Sequence, residues 1–243
     1  MPEGPSIVIL RQAAGAFAGR HVVTVGGNAK IDLARLAGAR VLALRSFGKQ
    51  FLIETSLGVL RIHLMMFGSY RIDEAADGRA PRLHLGFARG ELNFYACSVR
   101  YLEQPLDAAY DWRSDVMSPQ WDARLALRRL RAQPRTLVCD ALLDQEIFAG
   151  VGNIIKNEVL FRIRVHPLSQ VGALPAPKLR EMVREARRYS FDFLYWKRRF
   201  VLRKHWLAHN KSICPRDHVK FKRAHLGNRN RRTFYCELCQ RRY

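Results

Sequence analysis

The sequence predicts an α+β protein with more than one domain: an N-terminal β-sandwich with a flanking helix, then a helical part ending in a cysteine-containing β-hairpin. Three observations carry this prediction. Apolar residues follow short β-type runs up to about residue 102 and helical spacing from about residue 122. A segment rich in Pro, Asp and Ser separates the two patterns. Three of the five cysteines lie within the last thirty residues.

The first pattern indicates one helix and a series of strands, which we assign to a domain of residues 1–103. Residues 6–18 form the predicted helix, with Pro5 near its start. So many short strands within about 80 residues are typical of a sandwich or barrel. The predicted strands are Ala39–Leu44, Phe51–Glu54, Val59–His63, Ser69–Ile72, Leu83–Phe87 and Leu92–Tyr95.

Beyond residue 103 the sequence predicts a linker, a helical domain and a terminal module. The linker spans residues 104–120, the helical domain residues 121–209 and the terminal module residues 210–243, which we expect to form short strands and turns. The predicted helices are Asp122–Ala132, Arg135–Leu143, Ile154–Arg162 and Pro177–Lys197.

The distribution of charge indicates a polyanionic partner. The chain carries a formal net charge of +21, and residues 196–243 alone hold 15 basic and 2 acidic side chains. This asymmetry favours nucleic acid over a membrane surface, because no basic amphipathic helix with a clean apolar face accompanies it. Basic and aromatic residues alternate within residues 219–235, which suits a hairpin that packs on one face and meets phosphates or bases on the other.

The composition also indicates a compartment and excludes some classes of protein. No apolar run approaches the roughly 20 residues that a membrane-spanning helix needs. The N-terminus lacks the pattern of a signal peptide. The odd number of cysteines and their clustering suit a metal site in a reducing compartment, the cytoplasm or, in a eukaryote, the nucleus.

The N-terminal residues Met1-Pro2-Glu3 carry candidate chemistry. If Met1 is removed, which a small second residue such as Pro permits, Pro2 has a free secondary amine that titrates roughly 2.5 units below a lysine. Such an amine can attack a sugar carbon and form an iminium, an electron sink for β-elimination. Glu3 could protonate a departing sugar oxygen or accept the amine's proton. The alternative is a Met-Pro start without any catalytic role.

Two further elements suit contact with phosphates. Gly48-Lys49 leads into an apolar strand, so that a lone ammonium projects from a rigid turn; an ordinary solvated turn lysine is the alternative. In residues 142–158 one helix ends, two turns follow and a second helix begins. Gly150 and Gly152 let backbone N–H groups approach an anion, and Asn153 is predicted to be the N-cap.

The terminal cysteines predict a metal centre. Cys236-x-x-Cys239 has the spacing of one half of a structural zinc site. The other half is predicted to be Cys214 and His218, although a Cys-x-x-Cys pattern would put Asp217 in the ligand position. Asp217 or His225 therefore remain alternatives for the fourth ligand. We expect one structural Zn²⁺ on Cys214, His218, Cys236 and Cys239, and buried thiols at Cys97 and Cys139.

Taken together, these elements resemble the formamidopyrimidine-DNA glycosylase and endonuclease VIII family of base-excision repair enzymes. The resemblance runs through nearly the whole chain in the family's order. Its motifs are Pro-Glu-Gly-Pro at the start, the Gly48-Lys49 turn, Leu-Leu-Asp-Gln followed by Gly-Val-Gly-Asn, Leu160-Phe161-Arg162, His166-Pro167 and Arg231-x-Thr-Phe-Tyr-Cys.

The resemblance implies a bifunctional DNA glycosylase and abasic-site lyase that acts as a monomer on DNA with an oxidised base or an abasic site. Pro2 would form the Schiff base that leads to β,δ-elimination, and Glu3 would act on the sugar. Lys49 would contact DNA and assist elimination. Asn153, beside Gly152, would bind a phosphate, and Arg231 would grip the phosphates around the flipped nucleotide.

The loops resemble the endonuclease VIII branch, which favours oxidised pyrimidines. Met65, Met66 and Phe67 lie in one loop and would fill the gap left by the extruded base, with core packing as the alternative for Met65 and Phe67. The second loop, Tyr95–Arg100, lacks the Arg-x-Phe pair of the oxidised-purine branch.

Two positions depart from the usual family pattern: Ser6 stands in place of Glu, and the metal set is Cys-His-Cys-Cys in place of four cysteines. Both departures resemble a subset of vertebrate endonuclease VIII-like enzymes. A non-catalytic DNA- or RNA-binding protein is the main alternative, but it has no use for Pro2, Glu3 and Lys49 together. A zinc nuclease is disfavoured because the site has no open coordination position or carboxylate cluster.

Overall fold

A computed structural model describes residues 2–75 and 78–243 of the chain. The chain divides into two compact units, Met1–Asp111 and Trp112–Tyr243. Each unit has its own hydrophobic core.

The first unit begins with helix α1 (Gly4–Ala13), whose start is fixed by a capping box between Glu3 and Ser6. The helix buries Ile7 and Leu10. It is shorter than the predicted helix over residues 6–18, since residues 14–17 form a 3₁₀ turn. Gly15 lies in this turn, and its low helix propensity accounts for the early end.

Within residues 14–75 and 78–111, eight strands follow and form two antiparallel sheets of four strands. One sheet has the order β2-β3-β4-β8 and the other the order β1-β6-β7-β5. All six predicted strands are present. The strands are β1 (Val22–Gly26), β2 (Val41–Phe47), β3 (Gln50–Thr55), β4 (Gly58–His63), β5 (Ser69–Ile72), β6 (Leu83–Phe87), β7 (Glu91–Tyr95) and β8 (Ser98–Leu102).

The two sheets share one core. The rings of Phe51 on β3 and Phe94 on β7 are fully buried and lie 5.9 Å apart. Helix α1 packs against β2 and β3 and adds Ile7 and Leu10 to the same cluster. The β-sandwich with a flanking helix is confirmed.

The segment predicted as a linker contains short helical turns, α2 (Leu106–Ala109) and a 3₁₀ turn over residues 112–114. Tyr110 packs its ring against Phe47 at 4.5 Å, and its hydroxyl donates to Gln50 Oε1 at 2.5 Å. These contacts fasten the first part of the segment to the β2–β3 hairpin.

The second unit is built around four helices. Asp122 caps α3 by accepting the N–H groups of Arg124 at 2.8 Å and Leu125 at 3.1 Å. The helix predicted over Arg135–Leu143 is too long, because Leu137 forms an extended bridge with Gln170. The helices are α3 (Ala123–Arg131), α4 (Val138–Ala141), α5 (Asn153–Arg162) and α6 (Ala176–Arg198).

The unit ends in an antiparallel hairpin of β9 (Lys222–Leu226) and β10 (Arg231–Tyr235). We call residues 222–235 the terminal hairpin. Its second strand packs against α5, while α5 and α6 pack together in the main core. In residues 2–75 and 78–243, no helix has the length and apolar character needed to cross a membrane.

Candidate active site and nucleic-acid interface

Residue Pro2 immediately precedes a rigid helix start. Glu3 has no exposed surface. Its carbonyl accepts the N–H of Ser6 at 2.8 Å, and its own N–H donates to the Ser6 hydroxyl at 3.5 Å. Ser6, where the family usually has Glu, therefore fixes the backbone beside the candidate nucleophile. Pro2 itself is half-buried.

Lys49 lies in a two-residue turn, as the sequence predicts. Phe47 and Gln50 pair across the turn, and Gly48 has a φ of 53°, which favours glycine at the first turn position. Lys49 is half-buried. The strands that carry it are the two strands on which α1 packs.

His63 at the end of β4 adds a residue that the sequence does not single out. Burial and the cations of Lys49 and Arg61 lower the pKa of His63. A neutral ring can accept a hydrogen bond, and its Nδ1 accepts the N–H of Met65 at 3.0 Å. His63 thus anchors the loop that follows it.

Residues 64–68, here called the tip loop, expose their apolar side chains. Met65 is 53% exposed, Met66 50% and Phe67 86%. Core packing is therefore excluded for all three. The loop closes through the Gly68 N–H, which donates to the Leu64 carbonyl at 2.8 Å. A Cβ on Gly68 would lie 2.1 Å from that oxygen, so only glycine fits.

The second loop is shorter than predicted. Residues 98–100 belong to β8, where Val99 pairs with Ile62 of β4, so Ala96 and Cys97 alone connect β7 to β8. Such a connection leaves no room for an inserted Arg-x-Phe pair. Cys97 is buried, as predicted, and burial raises the pKa of its thiol to about 11. The same is true of Cys139.

In the second unit, Gln145 holds the two turns before α5. Its side-chain amide donates to the carbonyls of Leu143 at 2.9 Å and Val151 at 3.1 Å, and accepts the N–H of Gly150 at 3.1 Å. Gly152 is the N-cap of α5. Asn153 is therefore the first helical residue and not the N-cap, one position from the prediction.

The inner face of α5 carries buried polar side chains that bind the terminal hairpin. Asn153 Nδ2 donates to the Arg232 carbonyl at 2.9 Å, and Lys156 Nζ donates to Thr233 Oγ1 at 2.7 Å. The Thr233 hydroxyl in turn donates to the carbonyl of Arg231 at 2.9 Å. The backbone of Arg231 and Arg232 is thus fixed by the helix that also carries Asn153.

Asp140 on α4 holds the turn of the same hairpin. Its carboxylate accepts the N–H groups of Asn228 at 2.8 Å and Arg229 at 3.2 Å. Gly227 has a φ of 74°, and a Cβ there would lie 2.4 Å from Asp140 Oδ1. The sequence does not reveal this role, because no motif around Asp140 distinguishes it from a solvent-exposed aspartate.

Glu158 on α5 is a fully buried acceptor. It takes the N–H groups of Leu207 at 3.0 Å, Ala208 at 2.9 Å and His209 at 2.8 Å. Arg162 lies 3.2 Å from the same carboxylate. Burial, together with the Lys156 cation, lowers the pKa of His209 to about 4. Through its three hydrogen bonds from backbone N–H groups, Glu158 holds residues 207–209 against α5.

The terminal cysteines form a group that fits a metal ion. One ligand atom each from Cys214, Asp217, Cys236 and Cys239 lies within 4.8 Å of the others. Asp217 Oδ2 is 3.4 Å from Cys214 Sγ and 3.1 Å from Cys236 Sγ, and the sulfurs of Cys214 and Cys239 are 3.8 Å apart. Ligands about 2.0–2.3 Å from a tetrahedral zinc lie about 3.3–3.8 Å apart. Two of the three distances fall in this range and the third is slightly shorter, so the four side chains converge closely enough to hold one ion.

The fourth member of this group is Asp217 and not His218. The His218 N–H donates to the Cys214 carbonyl at 2.9 Å, which closes a tight turn. His218 has a φ of 56° and an exposed side chain, while Asp217, three residues after Cys214, faces the sulfurs. His225 lies exposed on β9, outside the group. The turn geometry places the ligand at the third position after the cysteine.

The protonation of the group depends on the metal. Without a cation, burial raises the pKa of Cys236 and Cys239. Hydrogen bonds from the thiols, that of Cys236 first, lower the pKa of Asp217. A metal ion would replace the thiol protons, because thiolates are the ligands of such sites.

Comparison with known proteins assigns the family. Residues 1–100 match the formamidopyrimidine-DNA glycosylase N-terminal domain and residues 114–189 its H2TH domain. The chain is 29% identical over 234 residues to endonuclease 8-like 3 of Xenopus laevis, covering 90% of this chain and 38% of that protein. It is 35% identical over 200 residues to endonuclease 8-like 2 of Bos taurus, covering 75% of this chain and 58% of that protein. It thus spans less than two thirds of either relative.

Solved structures share the fold. A viral DNA glycosylase superposes with a TM-score of 0.84 at 22% identity, covering 98% of this chain and 99% of that one. The Lactococcus lactis formamidopyrimidine-DNA glycosylase bound to DNA with an abasic site gives 0.85 at 19% identity, covering 99% and 100%. The solved structures show the fold, and the two domain matches define the class. The chain belongs to the formamidopyrimidine-DNA glycosylase and endonuclease VIII family.

Proposed function

We propose that this protein is a bifunctional DNA glycosylase and abasic-site lyase of base-excision repair. It acts as a monomer on DNA that contains an oxidised base or an abasic site, where the cell keeps its DNA, in the cytoplasm or the nucleus. The observation that carries the proposal is Pro2 itself: it directly precedes the buried Glu3 and a helix packed on the Lys49 hairpin. The membership of this chain in a family of DNA glycosylases supports the proposal.

The reaction starts with the free amine of Pro2 after removal of Met1. The nitrogen attacks C1′ of the damaged nucleotide, the bond from C1′ to the base breaks, and the base leaves with the proton that the attacking amine gives up. Glu3 supplies a proton to the ring oxygen as the sugar opens, which leaves an iminium between Pro2 and C1′.

The iminium then acidifies the proton on C2′. Loss of this proton expels the 3′ phosphate, and a second elimination expels the 5′ phosphate. Lys49 is proposed to contact the DNA and to stabilise the leaving phosphate charge, which a half-buried ammonium in a rigid turn can do. Water finally hydrolyses the iminium and releases Pro2.

DNA is proposed to be gripped by the second unit and distorted by the tip loop. The backbone N–H groups of Gly152 and Asn153 at the start of α5 would bind one phosphate, and Arg231 would bind the phosphates around the flipped nucleotide. Met65, Met66 and Phe67 would enter the duplex in place of the extruded base. Their exposure supports this role, because inserted apolar side chains offset the cost of unstacking.

We propose that zinc is the structural metal, held by Cys214, Asp217, Cys236 and Cys239. A site whose four ligands all come from the chain supplies no open position for catalysis, so the ion would only stabilise the terminal hairpin. We further propose that oxidised pyrimidines are preferred, since the two-residue connection from β7 to β8 offers no side-chain pair to probe the opposite strand.

A nicking experiment tests the proposal. Protein without Met1 should cut a duplex that contains thymine glycol and leave phosphates at both ends of the gap, as β,δ-elimination requires. It should act faster on thymine glycol than on 8-oxoguanine opposite cytosine. Lys49→Ala should bind the duplex but nick it slowly. Binding without any nicking by the wild-type protein would favour the non-catalytic alternative, and faster excision of 8-oxoguanine would refute the proposed preference.

A further inference from the structure

Three exposed aromatic side chains lie along the last turns of α6 and just beyond its end in the second unit. Phe191 is 42% exposed, Tyr195 54% and Phe200 95%. Within residues 2–75 and 78–243, Phe67 of the tip loop is the one other Phe, Tyr or Trp with an exposed side chain. We call Phe191, Tyr195 and Phe200 the α6 aromatic patch.

The patch is built from stacked pairs. Phe191 and Tyr195 are four residues apart and hence neighbours on one helix face. The guanidinium of Arg187 lies 5.2 Å from the centre of the Phe191 ring, and that of Arg199 lies 3.6 Å from the centre of the Tyr195 ring. Arg187 is itself fixed by hydrogen bonds to two backbone carbonyls, at 3.0 and 3.1 Å. The rings are therefore presented in a preorganised arrangement, which reduces the entropic cost of binding.

Phe200 is held in a conformation that suits glycine. Its N–H donates to the Lys197 carbonyl at 3.1 Å, and the next N–H donates to the Trp196 carbonyl at 3.0 Å. These two bonds form a Schellman ending, in which glycine usually takes the left-handed position. Phe200 occupies that position with a φ of 59°. A bulky residue there is costly, and its exposed ring adds little packing, so a binding role is the simplest reason for it.

The positive charge around the patch indicates the class of partner that it binds. Residues 184–204 contain eight Arg and Lys residues and two acidic residues. Aromatic rings set among cations suit single-stranded nucleic acid, because bases stack on the rings while phosphates pair with the cations. We propose that the α6 aromatic patch binds single-stranded DNA. This contact requires no damaged base and none of the residues proposed for catalysis.

Direct binding tests the proposal. The probe is an undamaged, fluorescently labelled oligothymidylate of about 15 nucleotides, followed by anisotropy with the full chain. Tyr195→Ala should weaken binding by about tenfold, as the loss of one stacking ring does. The salt dependence should stay the same, because no charge is removed. Leu42→Ala removes a side chain of similar exposure, 52%, from β2 and should leave binding unchanged.

Phe200→Gly should raise thermal stability and lower the affinity for the oligonucleotide. Relief of the left-handed strain should raise Tm by about 2 °C, while loss of the ring should weaken binding of the oligonucleotide. A purely structural role would not produce this combination.

Unchanged affinity in both Tyr195→Ala and Phe200→Gly would overturn the proposal. So would self-association of the wild-type chain that Tyr195→Ala abolishes, since the patch would then be a protein interface. Tighter binding of oligouridylate than of oligothymidylate would refute the choice of DNA. None of these results bears on lesion excision, and the nicking experiment does not bear on the patch, so the two proposals fail separately.

Discussion

The tip loop of the first unit and the terminal hairpin of the second unit are both proposed to touch DNA, yet they are held in opposite ways. The tip loop exposes three large apolar side chains and is closed by two backbone N–H groups, which donate to the Leu64 carbonyl and to the His63 ring. The terminal hairpin is bound by buried polar side chains of α4 and α5. A loop that must enter a duplex can be loosely fixed, whereas a strand that must present an arginine to phosphates needs a fixed backbone.

The largest effect on stability should come from the buried acceptor of α5. Glu158→Gln replaces a carboxylate by an amide that brings its own N–H donors among three backbone N–H groups. We expect the free energy of unfolding to fall by about 3 kcal/mol in urea titration. Glu181→Gln removes a partly exposed partner of Lys178 and should cost at most about 0.5 kcal/mol. Equal losses in the two variants would refute the special role of Glu158.

Metal binding should depend on Asp217. Asp217→Ala leaves three sulfur ligands, so zinc affinity should fall by roughly 100-fold, about 2.7 kcal/mol. His218→Ala should retain full zinc content, since its side chain lies outside the group. Competition with a chromophoric chelator measures both. Loss of zinc in His218→Ala, with zinc retained in Asp217→Ala, would show that His218 and not Asp217 is the fourth ligand.

The second unit should also weaken in mild acid. The pKa of His209 is lowered to about 4 in the folded protein, whereas an unfolded histidine titrates near 6.5. The unfolded chain therefore binds the additional proton in this interval, and stability is lost as pH falls from about 6.5 towards 4. His209→Gln should flatten this part of the curve in urea titrations at several pH values. An unchanged slope in the variant would assign the effect to other groups.

The smallest effect on stability should come from the tip loop. Met66→Ala should change the free energy of unfolding by less than about 0.5 kcal/mol, because the side chain is half exposed. It should nevertheless slow excision of thymine glycol much more than cleavage at a preformed abasic site, where no base needs to be unstacked. Equal slowing on both substrates, measured in single turnover, would argue against a wedge.

The contrast between apolar patterns and buried polar contacts also explains what the sequence could and could not predict. Strands β5 and β6 were predicted to the residue, since alternation of apolar side chains reports which face is buried. The buried Asp140, Lys156 and Glu158 escaped prediction, because polar side chains in a helix look solvated until their partners, distant in sequence, are known. α4 was predicted too long for a similar reason: a bridge between Leu137 and Gln170 keeps Leu137 extended, so that the helix begins only at Val138.

The metal ligands show a subtler limit. Spacing alone left Asp217, His218 and His225 open, and the preference of zinc for histidine favoured His218, which lies outside the group that the side chains form. The choice is made by the backbone turn from Cys214 to His218, which directs position three towards the sulfurs and position four to solvent. A pattern of residue types does not encode that direction.

Trapping of the covalent intermediate tests the proposed catalytic role of Pro2 most directly. Protein lacking Met1 is incubated with an abasic oligonucleotide and borohydride, and the adduct is digested and mapped by mass spectrometry. The iminium mechanism predicts a reduced adduct on Pro2, absent when Met1 is retained because the nitrogen is then an amide. An adduct on Lys49 or another internal lysine, or equal trapping with Met1 in place, would contradict it.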